Sequence, residues 1–88
     1  MINLTGTLQQ EGQPSVTKLN ILLCEITSPQ TGKIHHSGLF NIAKEQSIRS
    51  TGCTLVLSDN RNADIVIKSS LLSGENRAIF FSVIGEFY

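Results

Sequence analysis

The sequence predicts an all-β domain, because short stretches of alternating apolar and polar residues are separated by turn-forming residues along the chain. The clearest case is 52–69, where alternation runs on both sides of a polar tetrad. Asn tolerates the left-handed conformation that tight turns need, and Asp and Asn side chains bond to nearby backbone. We therefore expect an antiparallel hairpin whose turn is formed by Asp59, Asn60, Arg61 and Asn62.

The first two predicted strands differ in the placement of their apolar residues. Residues 2–9 alternate strictly, which is typical of a strand with one buried face. The polar stretch 10–15, with Gly12 and Pro14, predicts a loop. Residues 19–27 form the second predicted strand, and both of its faces are apolar. This strand is therefore expected to be central, or covered on its outer face.

The middle of the chain predicts a turn, a third strand and an irregular link. Residues 28–33 place Pro29 early and Gly32 late, as turns prefer. Alternation resumes over 34–42 and predicts the third strand. Residues 43–50 favour helix by propensity, but the segment is too short for a stable helix. We expect an irregular link, with at most one helical turn, anchored by Ile48.

After the central hairpin, the chain predicts a loop at 69–76 and a last strand at 77–84 that is apolar on both faces. Glycines interrupt three predicted strands, at Gly6, Gly38 and Gly85, and strand glycines mark bulges or bends where a sheet curls. Curling is how a small sheet removes its edges. The prediction is therefore a small antiparallel, partly closed barrel of five to six strands, analogous in architecture to SH3-like or OB-like barrels.

The length and charge of the chain limit the classes of function it can have. The 88 residues suffice for a single domain, 1–88. Seven Lys and Arg balance seven Asp and Glu, and none of the basic residues cluster. Nucleic-acid and lipid-binding modules usually carry a basic excess, so neither partner is expected. Only 16% of residues are charged, against about 25% in typical domains. Part of the surface is therefore expected to be covered by another copy or a protein partner.

The two cysteines, Cys24 and Cys53, lie in apolar stretches and are predicted to be buried, reduced thiols. No signal-type segment follows Met1, and no apolar run is long enough to span a membrane. We therefore expect a cytoplasmic protein. The sequence contains no Gly-rich phosphate loop or other cofactor motif, so no cofactor is expected.

The histidine pair His35 and His36 is the most conspicuous polar feature. Adjacent strand residues point to opposite faces, so one metal site cannot easily use both rings. One alternative is half of a metal site, completed by Cys24, Glu25 or a second subunit. The favoured alternative is one half-buried histidine bonded to backbone and one solvated histidine.

The predicted hairpin turn brings Asp59 and Arg61 close together, with Asp64 nearby. Arg61 is a candidate to bind a carboxylate or phosphate. The alternative is turn chemistry with a surface ion pair, worth about 0–1 kcal/mol. The sequence contains neither paired carboxylates nor a convincing catalytic triad, so an enzyme is not expected.

The apolar strands give the leading hypothesis for function. Two strands that are apolar on both faces cannot hide all these residues inside one 88-residue barrel, so the outer residues either contact a partner or are covered by the segments 10–18 and 43–50. We expect a non-catalytic interaction or assembly module that self-associates through an apolar sheet face. The alternatives are a barrel that binds nucleic acid or a small ligand, and a metal-binding protein that uses His35 or His36. The candidate interface residues are Ile21, Leu23, Phe80 and Phe81.

Overall fold

The computed structural model describes residues 1–88 as six antiparallel strands that close into one barrel. The predicted all-β barrel is confirmed, and its closure is complete, because the short fourth strand pairs with both the first and the fifth. Around the barrel the order is β1-β2-β3-β6-β5-β4. The strands are β1 (Ile2–Gln10), β2 (Gln13–Thr27), β3 (Ile34–Ala43), β4 (Cys53–Leu57), β5 (Asn62–Ser73) and β6 (Asn76–Ile84).

The barrel interior is a wholly apolar core. Every strand contributes residues at alternate positions, since strand side chains point to opposite faces in turn. Phe40 and Phe81 pack with their ring centroids 5.7 Å apart near the middle. No polar or charged residue is buried. The core residues are Leu8, Leu19, Ile21, Leu23, Phe40, Ile42, Cys53, Leu55, Leu57, Ala63, Ile65, Ile79 and Phe81.

The hairpin turns are tighter than the sequence predicted at two places. The predicted loops at 10–15 and 69–76 are wrong, because the strands run on to two-residue turns at 11–12 and 74–75. Glu11 and Gly12 both have positive φ, at 55° and 78°, which matches the right-handed twist of the flanking strands. The predicted turn after β4 is confirmed, with Asn60 at φ 71°.

Gly38 allows the barrel to close tightly. It faces the interior between Leu23 and Phe81 in the strand register. A Cβ atom there would lie 2.1 Å from the carbonyl oxygen of Leu22 and 2.9 Å from Cζ of Phe81. Only glycine permits this approach, so the predicted bend at a strand glycine has a steric basis at this position.

The two ends of the barrel differ. One end, the tail end, carries the 28–33 loop, the 58–61 turn and the C-terminal residues 85–88. The other end, the hairpin end, carries the two tight turns and the irregular link 44–52. The link contains no helical turn, and Ile48 packs on the core as expected. No helix in this chain has the length and apolarity needed to cross a bilayer.

Candidate functional site

The structure corrects the predicted interface. Ile21, Leu23 and Phe81 lie inside the barrel with exposed fractions of 1%, 3% and 1%, so they are not surface residues. Phe80 does lie on the outside, with 37% of its surface exposed. Alternation separates the two faces of a strand, but only the direction of barrel closure decides which face is inside.

The opposite faces of the same strands form an apolar patch on the outside of the barrel. Leu22 on β2 lies opposite Leu39 on β3, and Leu39 lies opposite Phe80 on β6. Directly opposed side chains on a sheet face have Cβ atoms about 4.5–5.5 Å apart, so the three form one row. In the adjacent row, Ala78 lies opposite Leu71 on β5. We define the outer apolar face as Leu22, Leu39, Leu71, Ala78 and Phe80.

The border of the outer apolar face carries little charge. Alternation and register place Asn, Ser, Cys and Val side chains next to it on the outside of β2, β3, β5 and β6. The exposed Lys68 lies in the β5 bulge beside Ser69, which is opposite Phe80, and is a charged neighbour of the face. A single lysine contributes little repulsion between two copies. The uncharged border residues are Asn20, Cys24, Ser37, Asn41, Val66, Ser69 and Ser82.

A polar cleft of about 860 Å³ opens at the tail end. It lies where β3 and β6 diverge, because their pairing begins only at Ser37 opposite Ser82. Its walls come from the start of β3 and from the C-terminal residues. The cleft brings together three of the predicted ligand-binding residues, because Arg61 joins His35 and His36 although it is far from them in sequence.

Arg61 is held in one orientation at the cleft. Its Nε and Nη2 atoms donate to Oδ2 of Asp59 at 2.8 and 2.7 Å. Its guanidinium carbon lies 4.4 Å from the ring centroid of Phe87, which is cation–π geometry. The hydrogen bond from Arg61 lowers the pKa of the Asp59 carboxyl, since it stabilises the charged form. The predicted contact between Asp59 and Arg61 is therefore present, and it orients the arginine.

The two histidines lie on opposite faces of β3, as expected for neighbours in a strand. His36 meets the edge of Phe87 with ring centroids 4.7 Å apart, and its Nε2 lies 3.9 Å from Oε2 of Glu25. His35 is exposed and lies opposite Ile26 on β2. No group of three or more His, Cys, Asp or Glu side chains is placed to hold a metal ion.

Phe87 is the cleft residue that the sequence did not single out. Gly85, at φ 69°, turns the chain after β6, and Tyr88 then exchanges two backbone hydrogen bonds with Asn62 at 2.7 and 2.9 Å. The Tyr88 hydroxyl donates to Oδ1 of Asp64 at 2.7 Å, and this bond raises the pKa of the tyrosine. These contacts hold Phe87 between them. The available sequence signal was Gly85 followed, after Glu86, by two aromatic residues.

The two cysteines are free thiols in different environments. Cys53 is buried, and burial raises the pKa of its thiol, which donates to the Arg49 carbonyl oxygen at 3.2 Å. Cys24 is only half-buried on the outside of the barrel, so the prediction of burial holds for Cys53 alone. A raised thiol pKa makes Cys53 a poor nucleophile at neutral pH.

Fold and sites together define a small closed antiparallel barrel with an outer apolar face and a cleft at its tail end. Comparison with protein families, with curated proteins and with solved structures gives no match for this chain.

Proposed function

We propose that this protein is a non-catalytic assembly module that associates with further copies of itself through the outer apolar face. The observation that carries the proposal is the row Leu22, Leu39 and Phe80, which crosses three neighbouring strands and is itself wholly apolar. Contiguous apolar surface on a small domain is typical of interaction sites.

The energetics favour covering this face. Complete burial of a Leu or Phe side chain contributes about 1.5–3 kcal/mol, so the partly exposed row retains a share of that driving force. An 88-residue chain buries a smaller fraction of its surface than a larger domain does, and its own stability is correspondingly modest. Burial against a partner therefore contributes noticeably to the folded state.

A second copy is the partner that best fits the charges. The chain has net charge zero, so two copies meet without long-range repulsion. Lys68 lies beside the face as a single charge, so the border offers no charged cluster that would select an acidic or basic partner. A patch that is complementary to itself usually closes as a symmetric pair, because a two-fold axis lets each residue contact its equivalents.

Light scattering coupled to size exclusion, at tens of micromolar protein, tests the proposal. We expect a mass greater than one copy for the wild type and a lower mass for Phe80→Asp, with an unchanged β-sheet circular dichroism spectrum. Ile2→Asp is the matched control, because Ile2 is 53% exposed at the barrel end and lies outside the face. A monomeric wild type would overturn the proposal.

The cleft supports a second candidate function, the binding of a small anion. Arg61 is already oriented by Asp59 and Phe87, so little side-chain entropy is lost when a carboxylate or phosphate binds. Lys33 and His36 line the same cleft, although the carboxylates of Glu25 and Glu86 offset the charges of Lys33 and Arg61. Titration with inorganic phosphate and with acetate, followed by NMR shifts of Arg61 and His36, is the test. Arg61→Lys keeps the charge but loses the planar fork, so it should abolish the shifts. The absence of shifts in the wild type would exclude this candidate.

A further inference from the structure

The distal part of β5 has an open edge. β4 pairs only with the start of β5, from Asn62 to Ile65. The Ile67 amide then donates to the Ser50 carbonyl oxygen at 2.9 Å. Beyond that bond, no backbone hydrogen bond is made on this side of the strand, although β5 continues to Ser73. Residues 68–73 are all exposed. We call 68–73 the β5 edge.

The strand register identifies which amides face the open side. β5 and β6 are joined by a two-residue turn flanked by Ser73 opposite Asn76, and such a flanking pair is hydrogen-bonded. Bonding alternates along an antiparallel pair. Leu71 therefore bonds to β6, whereas the N–H and C=O groups of Ser70 and Leu72 point towards the open side.

The first part of β2 also has an open edge, but unlike the β5 edge it carries residues that hinder pairing with another strand. β2 pairs with β3 only from Ile21, so the part before it also lacks a partner on that side. That part carries Pro14, which has no N–H, and Lys18, whose φ of 56° breaks the regular strand. Natural proteins use such features to prevent edge pairing.

The β5 edge has only one feature that hinders pairing, and it lies at the start of the edge. Lys68 lies in a bulge, and after it the sequence Ser69, Ser70, Leu71, Leu72, Ser73 contains no proline, charge or further bulge. Leu71 and Leu72 are 62% and 63% exposed. A regular, uncharged strand edge with two exposed leucines is a template for another strand.

We propose that the β5 edges of two copies of this protein pair with each other as antiparallel strands about a two-fold axis. The occupant is a second copy because residues 69–73, which follow Lys68, are uncharged and nearly symmetric about the two leucines. In one register Leu71 lies opposite Leu71 of the second copy, and Ser70 lies opposite Leu72. The groups that point to the open side then form about four backbone hydrogen bonds between the copies.

This inference rests on the proposed self-association and specifies a second contact for it. The two-fold axis of edge pairing is perpendicular to the sheet, because antiparallel partners keep equivalent side chains on one face. Packing of two outer apolar faces needs an axis within the interface plane. Two perpendicular axes generate a tetramer with dihedral symmetry, the commonest closed assembly after the dimer. Edge pairing also joins the outer apolar faces of two copies through their Leu71 residues.

Amide hydrogen exchange and light scattering together test the pairing. In the wild type at high concentration, we expect the Ser70 and Leu72 amides to exchange at least about tenfold more slowly than at high dilution. The Leu71 amide should be protected at both concentrations, and amides in the 28–33 loop should not respond to concentration. Face packing alone would not produce this alternation.

Ser70→Pro removes the N–H that faces the partner while leaving the β6 ladder intact, since proline is tolerated on an edge strand. We expect it to halve the mass, from four copies to two. Ser70→Ala keeps the N–H and should keep the wild-type mass. If Ser70→Pro fails to fold, the exchange rates of the Ser70 and Leu72 amides in the wild type decide whether the β5 edges pair.

The outcomes separate this inference from the proposed function. An oligomer whose Ser70 and Leu72 amides exchange fast, and which Ser70→Pro leaves unchanged, overturns edge pairing but leaves face packing standing. A dimer with slow Ser70 and Leu72 exchange that is insensitive to Phe80→Asp supports edge pairing and overturns face packing. A monomer at both concentrations overturns both.

Discussion

The inner and outer faces of β2 and β6 carry nearly the same side chains for different purposes. Phe81 is 1% exposed and contacts Phe40 in the core, whereas its neighbour Phe80 is 37% exposed on the outer apolar face. Leu23 and Leu22 repeat the contrast on β2. Hydrophobicity alone therefore does not distinguish the two residues, and the geometry of the barrel decides which of them is buried by its own chain.

The largest expected difference between the faces is in stability. Phe81→Ala removes a fully buried ring and should lower the free energy of unfolding by about 3–5 kcal/mol. Phe80→Ala removes a side chain that is only partly buried, so it should cost about 1–2 kcal/mol in the monomer. Urea denaturation at a concentration too low for association measures both. Equal losses for the two variants would break the distinction between the faces.

The next largest effect concerns Gly38, where the inner face lacks a side chain. Gly38→Ala places a methyl group against the backbone of Leu22 and the ring of Phe81, and such overpacking costs about 1–3 kcal/mol. Ser37→Ala on the outer face should be near neutral. Thermal unfolding of the two variants provides the comparison, and an unchanged melting temperature for Gly38→Ala would show that the barrel wall relaxes at no cost.

The two cysteines should show the contrast between the inside and the outside of the barrel as a difference in labelling rate. Cys24 on the outside should react with a thiol reagent in the native state, at a rate that falls when the copies associate. Cys53 should react only through opening of the barrel, because it is buried and burial raises its thiol pKa. Mass spectrometry of labelled peptides distinguishes the sites. Native labelling of Cys53 as fast as Cys24 would contradict the burial.

The smallest effect comes from the exposed polar contacts. The hydrogen bond from Arg61 lowers the Asp59 pKa below the ordinary value of 3.8, so its contribution to stability is present at neutral pH. It is lost as the pH falls below 3.8 through the lowered folded-state value, because the carboxylate must then be protonated. Asp59→Asn should therefore be slightly less stable than wild type at pH 7 and equal to it at the acid end. If Asp59→Asn were still less stable than wild type at low pH, its loss of stability would come from an altered turn conformation and not from the charge of Asp59.

Local patterns predicted most of the fold. Alternation located all six strands, and Asn60 marked a turn whose positive φ the structure contains. The strand ends next to 11–12 and 74–75 were missed, because polar residues such as Gln13 and Ser73 stay in strands when cross-strand bonding continues to the turn. Arg61 and His36 were candidates from the sequence, but their meeting at Phe87 depends on the path of the C-terminal residues.

The sequence by itself determined that this chain forms antiparallel strands with a hairpin after β4, because side-chain period and turn chemistry are local properties. It also determined that two strands are apolar on both faces, although a barrel interior can cover only one of them. Only the tertiary structure decided that Ile21, Leu23 and Phe81 face inwards and Phe80 outwards, since either face of a doubly apolar strand can line a core. Closure selects one face through the summed packing of all six strands, and no single strand contains that information.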